Sequence, residues 1–111
     1  MKEEFKRHGF EVRNEFEFGG ARYYDAVKDG LKLSVEEGAF GALSIHFRNK
    51  GVWLPKEMAN WERLCDALVE HFEQRIEMDG KRMVKALADS EKRRATYKKL
   101  KEMFRKGANQ R

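Results

Sequence analysis

The sequence has one cysteine and no long hydrophobic run, and each absence limits what the protein can be. Cys65 has no second cysteine to join, so an internal disulfide is excluded, and its place on an apolar helical stripe predicts a buried thiol rather than a nucleophile. No apolar stretch approaches the roughly 18 residues of a transmembrane helix. The N-terminal segment MKEEFKRHGF is charged throughout, unlike a signal peptide. We therefore expect a soluble protein of the cytoplasm.

Recognisable catalytic motifs are also missing. His8, His46 and His71 fall on different predicted elements, and the sequence has neither the H-x-x-x-H nor the C-x-x-C spacing of common metal sites. It has no glycine-rich phosphate loop followed by Lys-Ser or Lys-Thr. Glu36-Glu37 is a carboxylate pair at a strand end, where such pairs ordinarily face solvent. We predict that the protein is not an enzyme and needs no metal or other cofactor.

Charge is abundant and unevenly distributed. Of the 111 residues, 41% are hydrophobic and 39% are charged, which predicts a folded chain with a densely charged surface. Residues 1–80 contain 12 Lys and Arg against 16 Asp and Glu, whereas residues 81–111 contain 12 against 3. So basic a segment suits a polyanion such as nucleic acid. The alternative is that it folds back on the acidic helix expected within residues 57–79.

The segment FEVRNEFEF alternates in the manner of a strand with one buried side. The residues expected to face the core are Phe10, Val12, Asn14, Phe16 and Phe18. Gly19-Gly20 then supplies two residues that can take positive φ, as a tight primed hairpin turn requires. This turn pairs Phe18 with Ala21 and Phe16 with Tyr23.

A second turn, KDG, decides which side of the third strand is buried. A three-residue loop ending at Gly30 keeps Leu33 on the face of Val27, whereas a two-residue Asp-Gly turn would place Leu33 on the other face. We favour the three-residue loop. The fourth strand is ALSIHFR, whose inward residues are Leu43, Ile45 and Phe47. Phe16, Leu33 and Ile45 are therefore expected to share the buried face.

One polar pair interrupts this expected buried face. Asn14 and Asp25 would lie side by side among aromatic and aliphatic residues, where an unpaired carboxylate costs several kcal/mol. Two interpretations are open. The residues form a hydrogen-bonded pair or a sheet margin that water reaches, or they belong to a functional polar pocket.

Helical spacing begins after Pro55, which fits a first helical turn because its missing N–H is not needed there. The apolar stripe of this helix consists of Trp61, Leu64, Cys65, Leu68, Phe72 and Ile76. One face of the sheet needs a cover, and this helix is the nearest element available. We therefore predict an α+β fold in which a four-stranded antiparallel meander sheet is covered by a helix, within a domain of residues 1–80.

A basic helical extension is expected over residues 81–111. Glycine in MDG, at 78–80, interrupts the first helix because it costs about 1 kcal/mol in a helix interior. Met83 and Val84 resume an apolar stripe, after which either a new helix runs from Glu91 to about Lys106 or one continuous helix spans the region. One side of the extension carries Tyr97, Leu100, Met103 and Phe104, which need a surface to pack against. We expect a second copy of the chain to provide that surface.

Two adjoining stretches, LKLSVEEGAFGALSIHF and GVWLPKEMANWERLCDALVEHF, carry a family resemblance. The first has a Leu-x-Leu-x-Val strand, a glycine bend and an L-x-I-x-F strand; the second has a VWLP entry and a helix containing DAL and a closing aromatic. Over about residues 21–75 the chain resembles a Pur repeat, the purine-rich-element-binding module, and its structural relatives among positive-cofactor-type and whirly single-stranded-DNA-binding proteins. The resemblance implies four antiparallel strands plus a helix, dimerisation through helices and sheets, and nucleic acid bound on the curved sheet face.

The chain departs from this family in two ways. Several Pur proteins carry two or more repeats in one chain, whereas this chain has room for one, so two copies would have to supply a complete unit. The family's binding face is rich in basic and polar residues, whereas the outer face expected here is mixed in charge.

These expectations define the candidate nucleic-acid-binding residues. On or beside the exposed sheet face they are Arg13, Tyr24, Lys32, His46, Arg48, Lys50 and Trp53. On the basic extension they are Lys92, Arg93, Arg94, Lys98, Lys99 and Lys101. Rings stack on unpaired bases while cations hold phosphates. We predict a homodimer that binds single-stranded or unwound DNA or RNA, with a role in transcription or replication control, although the same face also fits an ordinary solvated sheet.

A second hypothesis is a protein-binding module. A small phage-type or mobile-element inhibitor, for example, would dock on a larger host protein through its aromatic C-terminal helix and charged tail. Such a module would tolerate charge reversal on the sheet but not the loss of Tyr97, Leu100 and Phe104.

Overall fold

The architecture comes from a computed structural model that describes residues 1–48, 50–81 and 87–109. Within these residues the fold is α+β, with an antiparallel five-stranded sheet in meander order and C-terminal helices. The strands are β1 Glu11–Phe18, β2 Ala21–Lys28, β3 Leu31–Glu37, β4 Leu43–Phe47 and β5 Lys50–Leu54. The helices are α1 Lys2–Arg7, α2 Trp61–Lys81 and α3 Leu87–Asn109, with a 3-10 turn at Lys56–Met58. The predicted class is confirmed, with five strands in place of four.

The additional strand, β5, comes from the segment that was expected only to lead into the helix. Its residues pair with β4, Val52 opposite Ile45 and Trp53 opposite Ser44. Helix α2 begins later than expected, at an Asn60 cap whose Oδ1 accepts a hydrogen bond of 2.9 Å from the backbone N–H of Arg63. Proline therefore follows the last strand rather than starting the helix.

The chain forms two compact units, Met1–Leu64 and Cys65–Arg111. The first contains α1, the sheet and the first turn of α2, and the second contains the rest of α2 and α3. The division between the two units falls inside α2.

Strand β1 contains an extra residue. The pairs nearest the turn are those expected, Phe18 with Ala21 and Phe16 with Tyr23, but the register then shifts, so that Arg13 lies opposite Asp25. Asn14 lies in this β-bulge with a φ of +55°, a left-handed conformation that asparagine tolerates better than most residues. A bulge of one residue exchanges the two faces, so Phe16 points away from the side that carries Val12.

The turn between β2 and β3 has two residues rather than three. Asp29 and Gly30 both have positive φ, at 54° and 78°, as a primed hairpin turn requires. Lys28 consequently pairs with Leu31. The expected three-residue loop is wrong, and the difference of one residue places Leu33 on the face opposite to Val27.

Together the bulge and the turn overturn the predicted assignment of the sheet faces. Leu33 and Ile45 are fully buried, whereas the Phe16 side chain is 57% exposed, so the prediction that these three share a buried side is wrong. We name the buried side the inner face and the side of Phe16 the outer face. The buried inner-face residues are Tyr24, Ala26, Leu33, Val35, Leu43, Ile45, Phe47 and Leu54.

The core of the first unit is completed by an aromatic cluster centred on Phe5 of α1. The ring of Phe5 lies 5.1 Å from that of Phe10, 6.3 Å from Tyr24 and 5.2 Å from Trp61, each in an edge-on arrangement. The ring of His8 stacks on that of Trp61, with centroids 4.4 Å apart. The N-terminal helix, which the sequence pattern did not reveal, thus supplies one cover of the inner face.

In the second unit the aromatic side of α3 is already buried. The rings of Phe72 and Tyr97 lie 6.0 Å apart, and Leu100 and Phe104 are fully buried. The prediction that these α3 residues await a second copy is therefore wrong, because this chain buries them itself. Met83 and Val84 lie outside the described residues.

The expectations for Cys65 and for membrane spans can also be compared with the structure. The Cys65 thiol is buried, as its position on the helical stripe predicted. Among the described residues, no helix combines the length and the hydropathy that a membrane-spanning segment requires.

Candidate functional site

The outer face carries a row of residues that crosses all five described strands at one level. Each member lies directly opposite the next in the strand register, which places their side chains on the same side of the sheet. From β1 to β5 the row is Phe16, Tyr23, Glu36, Ser44 and Trp53. We name it the aromatic row.

The aromatic row begins and ends with rings that water can reach. Phe16 and Tyr23 stack in parallel, with centroids 4.9 Å apart and planes 12° apart. At the other end the Trp53 side chain is 64% exposed. Three inter-strand spacings of about 4.8 Å separate β2 from β5, so the backbone positions of Tyr23 and Trp53 are roughly 14 Å apart. We name the rings of these two residues the two walls of the site.

The floor between these walls consists of small residues beside the larger Glu36 and His46. Ser44 lies beside Trp53 in the aromatic row, and Ser34 and Gly51 flank His46 in the next row. A Cβ at Gly51 would collide with the carbonyl oxygen of Ile45 and would lie 2.9 Å from Cδ2 of His46. The imidazole therefore occupies the space that a side chain at Gly51 would need, and it lies exposed next to Trp53.

Charges on the outer face are mixed and largely paired. Arg13 donates to Glu11 at 2.7 Å, an interaction that raises the pKa of Arg13 and lowers that of Glu11. Asn14 donates to Asp25 at 2.8 Å. The expected Asn–Asp hydrogen bond is thus present, although it is exposed on the outer face rather than buried. Lys32 is exposed on the same face, two positions from Ser34 along β3.

At the centre of the aromatic row, Glu36 interacts with Tyr23. Hydrogen bonding to this carboxylate raises the pKa of the Tyr23 hydroxyl, with smaller contributions from partial burial and from the charge of Glu36. The phenol therefore stays protonated over the physiological pH range. One negative charge is held between the two aromatic walls.

A second group of rings lies at the end of the sheet where β1 turns into β2. The Phe18 side chain is 77% exposed and that of Phe40, in the loop between β3 and β4, is 90% exposed. These two connections touch, since a Cβ at Gly20 would lie 3.1 Å from Cβ of Ala39. Exposed aromatic rings thus continue from the outer face to this end of the first unit.

The residues predicted to bind nucleic acid are distributed over more than this face. Four of them do lie on the outer face, and these are Arg13, Lys32, His46 and Trp53. Tyr24 is a correction: it lies on the inner face and is 2% exposed, and burial raises the pKa of its hydroxyl strongly. Its neighbour Tyr23 occupies the outer position instead.

The two remaining sheet candidates are set apart from the aromatic row. The guanidinium of Arg48, in the turn after β4, lies 5.0 Å from the ring centroid of Phe47. Lys50 pairs with Phe47 in the register. Because Phe47 is buried on the inner side, Lys50 projects from the rim of that side rather than over the outer face.

The basic candidates on α3 differ in their surroundings. Lys92, Lys98 and Lys99 are exposed, whereas Arg93, Arg94 and Lys101 are half-buried. Lys101 and Arg105 reach Glu73 of α2 at 3.7 and 3.3 Å, so part of the basic extension does fold back on the acidic helix within the second unit. Met103, the fourth residue predicted to contact a partner, is half-buried.

Four aromatic residues were missed as site candidates, namely the exposed Phe16, Phe18 and Phe40 and the half-buried Tyr23. The first two were assigned to the core because they alternate with charged residues in β1. The signal that would have placed the three strand residues on the outer face is the Asp-Gly pair of the second turn, which strongly favours a two-residue loop. That loop buries Tyr24 and turns Tyr23, with its partner Phe16, to solvent.

Comparison with known proteins adds no relative. The chain matches no protein-family model, and no curated protein or solved structure is significantly similar to it. Within the part of the chain that the structure describes, no three His, Cys, Asp or Glu side chains are grouped as a metal site requires. The geometry of the outer face is therefore the observation from which a function is argued.

Proposed function

We propose that the protein binds single-stranded nucleic acid on the outer face of the sheet, with unpaired bases stacked on the rings of the aromatic row. The observation that carries the proposal is the arrangement of Phe16, Tyr23 and Trp53 at one level, with Glu36 and a floor of small residues between the two walls. The rings on this open sheet offer flat surfaces on which unpaired bases can stack. In a duplex those base surfaces are not accessible. Stacking of this kind contributes about 1–3 kcal/mol per base.

The position of Glu36 restricts how a strand can lie. A carboxylate repels phosphate, so the sugar-phosphate backbone must run along the edges of the aromatic row while the bases cover its centre. Lys32 and His46 lie on the outer face, on the side of the row where Ser34 and Gly51 form the floor. These groups are suited to contact a phosphate or a sugar at that edge.

Electrostatic attraction would come mainly from the second unit. Residues 1–64 contain 11 Lys and Arg and 11 Asp and Glu, whereas residues 65–111 contain 13 and 8. Exposed lysines of α3, including Lys92 and Lys98, present that positive charge to solvent. The proposal therefore divides the work between stacking on the sheet and phosphate attraction on α3.

Fluorescence anisotropy with a labelled oligonucleotide of about ten nucleotides tests the proposal. Trp53→Leu keeps an apolar side chain but removes the ring, and we expect it to weaken binding roughly 5- to 150-fold, which corresponds to the 1–3 kcal/mol of one stacked base. Met58→Leu is the matched control, because Met58 is 40% exposed and lies outside the aromatic row. Equal affinities for the two variants would remove the basis of the proposal.

Salt dependence separates the two contributions. A strand held by stacking and by a few cations should give a shallow slope of log affinity against log salt, at about 0.7 per phosphate neutralised on a single strand. Charge reversal of Lys92 and Lys98 should reduce this slope, whereas Trp53→Leu should lower the affinity and leave the slope unchanged.

Docking of a protein is a second candidate function, and one observation favours it. The first unit carries no net formal charge, yet Phe18 and Phe40 are exposed together at one end of it. Exposed aromatic clusters of this kind mark protein interfaces more often than solvated surfaces. A double variant, Phe18→Ser with Phe40→Ser, should leave oligonucleotide affinity intact and abolish binding to such a partner.

A further inference from the structure

We infer that two copies of the chain associate through the β5 edges, in antiparallel register about a two-fold axis at Val52, to form one continuous sheet. The inference needs no ligand and is independent of nucleic-acid binding. It also replaces the dimer contact that the sequence suggested on α3, whose aromatic residues this chain already buries.

The edge itself is the first reason. In the sheet formed by the described residues, β1 and β5 are the edge strands, so each presents backbone N–H and C=O groups along one side. The bulge at Asn14 interrupts the ladder of β1 and bends that edge. β5 pairs with β4 without a register shift over Lys50–Leu54. Of the two edge strands, β5 is therefore the regular one and the better suited to pair with another strand.

The sequence of β5 is self-complementary in this register. With Val52 opposite Val52 of the second copy, Trp53 falls opposite Gly51 and Lys50 falls opposite Leu54. The indole therefore meets the one residue in the strand that has no side chain. The two Lys50 ammonium groups lie at opposite ends of the paired segment, about 13 Å apart along the strands, where their repulsion is small.

His46 gives the incoming indole a surface to pack on. Its imidazole already covers Gly51 on the outer face, as the 2.9 Å approach of Cδ2 to a Cβ at that position indicates. An indole from the second copy, placed over Gly51, would stack against this imidazole. In the same register the two Trp53 side chains become diagonal neighbours, which aromatic residues can bridge. Dimerisation would thus remove water from both Trp53 rings, which are largely exposed in the single chain.

The size of the contact sets its strength. Five residue pairs and two indoles cover much less than the roughly 1,200 Å² of total surface typical of a stable complex. We therefore expect a dimer that dissociates on dilution. Its outer face would be continuous from one aromatic row to the other, with the two tryptophans at the centre.

Disulfide trapping tests the register. Val52→Cys places two thiols opposite each other at the axis, where the Cα atoms of facing residues lie about 4.5–5.5 Å apart, within disulfide range. Val12→Cys is the matched control, since Val12 is also half-buried, also faces the inner side and lies on the other edge strand. Under mild oxidation we expect the full-length Val52→Cys protein to form a covalent dimer and Val12→Cys to remain a monomer.

Sedimentation of the unmodified chain provides the second measurement. The mass should rise from one chain toward two as concentration increases, and Val52→Arg should hold it at one chain while circular dichroism shows the fold unchanged. A single-chain mass at every concentration, or faster disulfide formation by Val12→Cys than by Val52→Cys, would overturn the inference. Oligonucleotide binding measured at dilutions where the chain is monomeric keeps this result separate from the proposed function.

Discussion

The rings of Phe16 and Tyr23 stack on the outer face with their centroids 4.9 Å apart, because the Gly19-Gly20 turn sets these two residues opposite each other in the register. Without the bulge, the alternation of β1 would place Phe16 and Val12 on the same side. The extra residue is accommodated at Asn14, whose φ of +55° is unusual for a residue with a side chain. This backbone conformation thus lets Val12 lie on the inner face while Phe16 lies on the outer face of the same strand.

Substitution of Asn14 tests the role of that conformation. Asn14→Val should lower the free energy of unfolding by about 1–2 kcal/mol, because a β-branched residue strongly disfavours the left-handed region. Asn14→Gly should change it by no more than about 0.5 kcal/mol, since glycine adopts this conformation freely and loses only an exposed hydrogen bond to Asp25. Urea denaturation measures both. Equal destabilisation by Val and Gly would show that the left-handed backbone conformation does not determine which residues position 14 tolerates.

Gly51 is expected to be intolerant of any side chain. Gly51→Ala should lower the free energy of unfolding by at least about 2 kcal/mol, because a Cβ there meets the carbonyl oxygen of Ile45 and forces β5 away from β4. Gly38→Ala is a suitable control, with its Cβ at 3.4 Å from the nearest atom. Thermal unfolding distinguishes them. A Gly51→Ala protein as stable as the control would mean that β5 is not packed as described.

Leu100 tests the burial of the aromatic side of α3. Leu100→Ala should cost about 2–5 kcal/mol of unfolding free energy, as expected for a fully buried leucine. Lys98→Ala, on the exposed side of the same helix, should change it by less than about 0.5 kcal/mol. The loss relative to the unmodified chain should be the same at two protein concentrations tenfold apart. A loss that depends on concentration would instead place Leu100 in a contact between chains.

His71 should make the stability of the second unit depend on pH. Partial burial, assisted by the positive charge of Arg75, lowers the pKa of this imidazole in the folded state. The unfolded chain therefore binds a proton more readily, so the contribution of His71 is complete above its unfolded pKa of about 6.5 and declines as pH falls through the folded value. Urea titrations at pH 7.5 and pH 5 should show this loss, and His71→Gln should reduce it. An unchanged pH dependence in the variant would assign the effect to other groups.

Much of the fold was predictable from local chemistry. Strand alternation and the Gly19-Gly20 turn predicted the first hairpin with its correct pairs near the turn, and the stripe through Leu64, Leu68 and Phe72 predicted α2. Such features follow from neighbours in sequence, which share a turn type or a helical period. The class and the meander order are therefore confirmed.

The site was harder to predict, because each strand has apolar residues on both faces. In β2, Tyr23 and Val27 lie on one side and Tyr24 and Ala26 on the other, so composition does not say which pair is buried. That choice depended on the loop at Asp29-Gly30 and on a bulge marked only by an asparagine. The packing of Phe5 against the inner face involves residues far apart in sequence, and no periodic pattern announces it.

The bulge also decides how β1 tolerates a change of length. Deleting Asn14 would remove the extra residue and restore simple alternation along the strand, with Val12 still on the inner face. Phe16 and Phe18 would keep their partners Tyr23 and Ala21, because the Gly19-Gly20 turn fixes those pairs. A loss of one residue at this position would therefore straighten the strand, while its two halves keep their faces and the exposed rings stay in place.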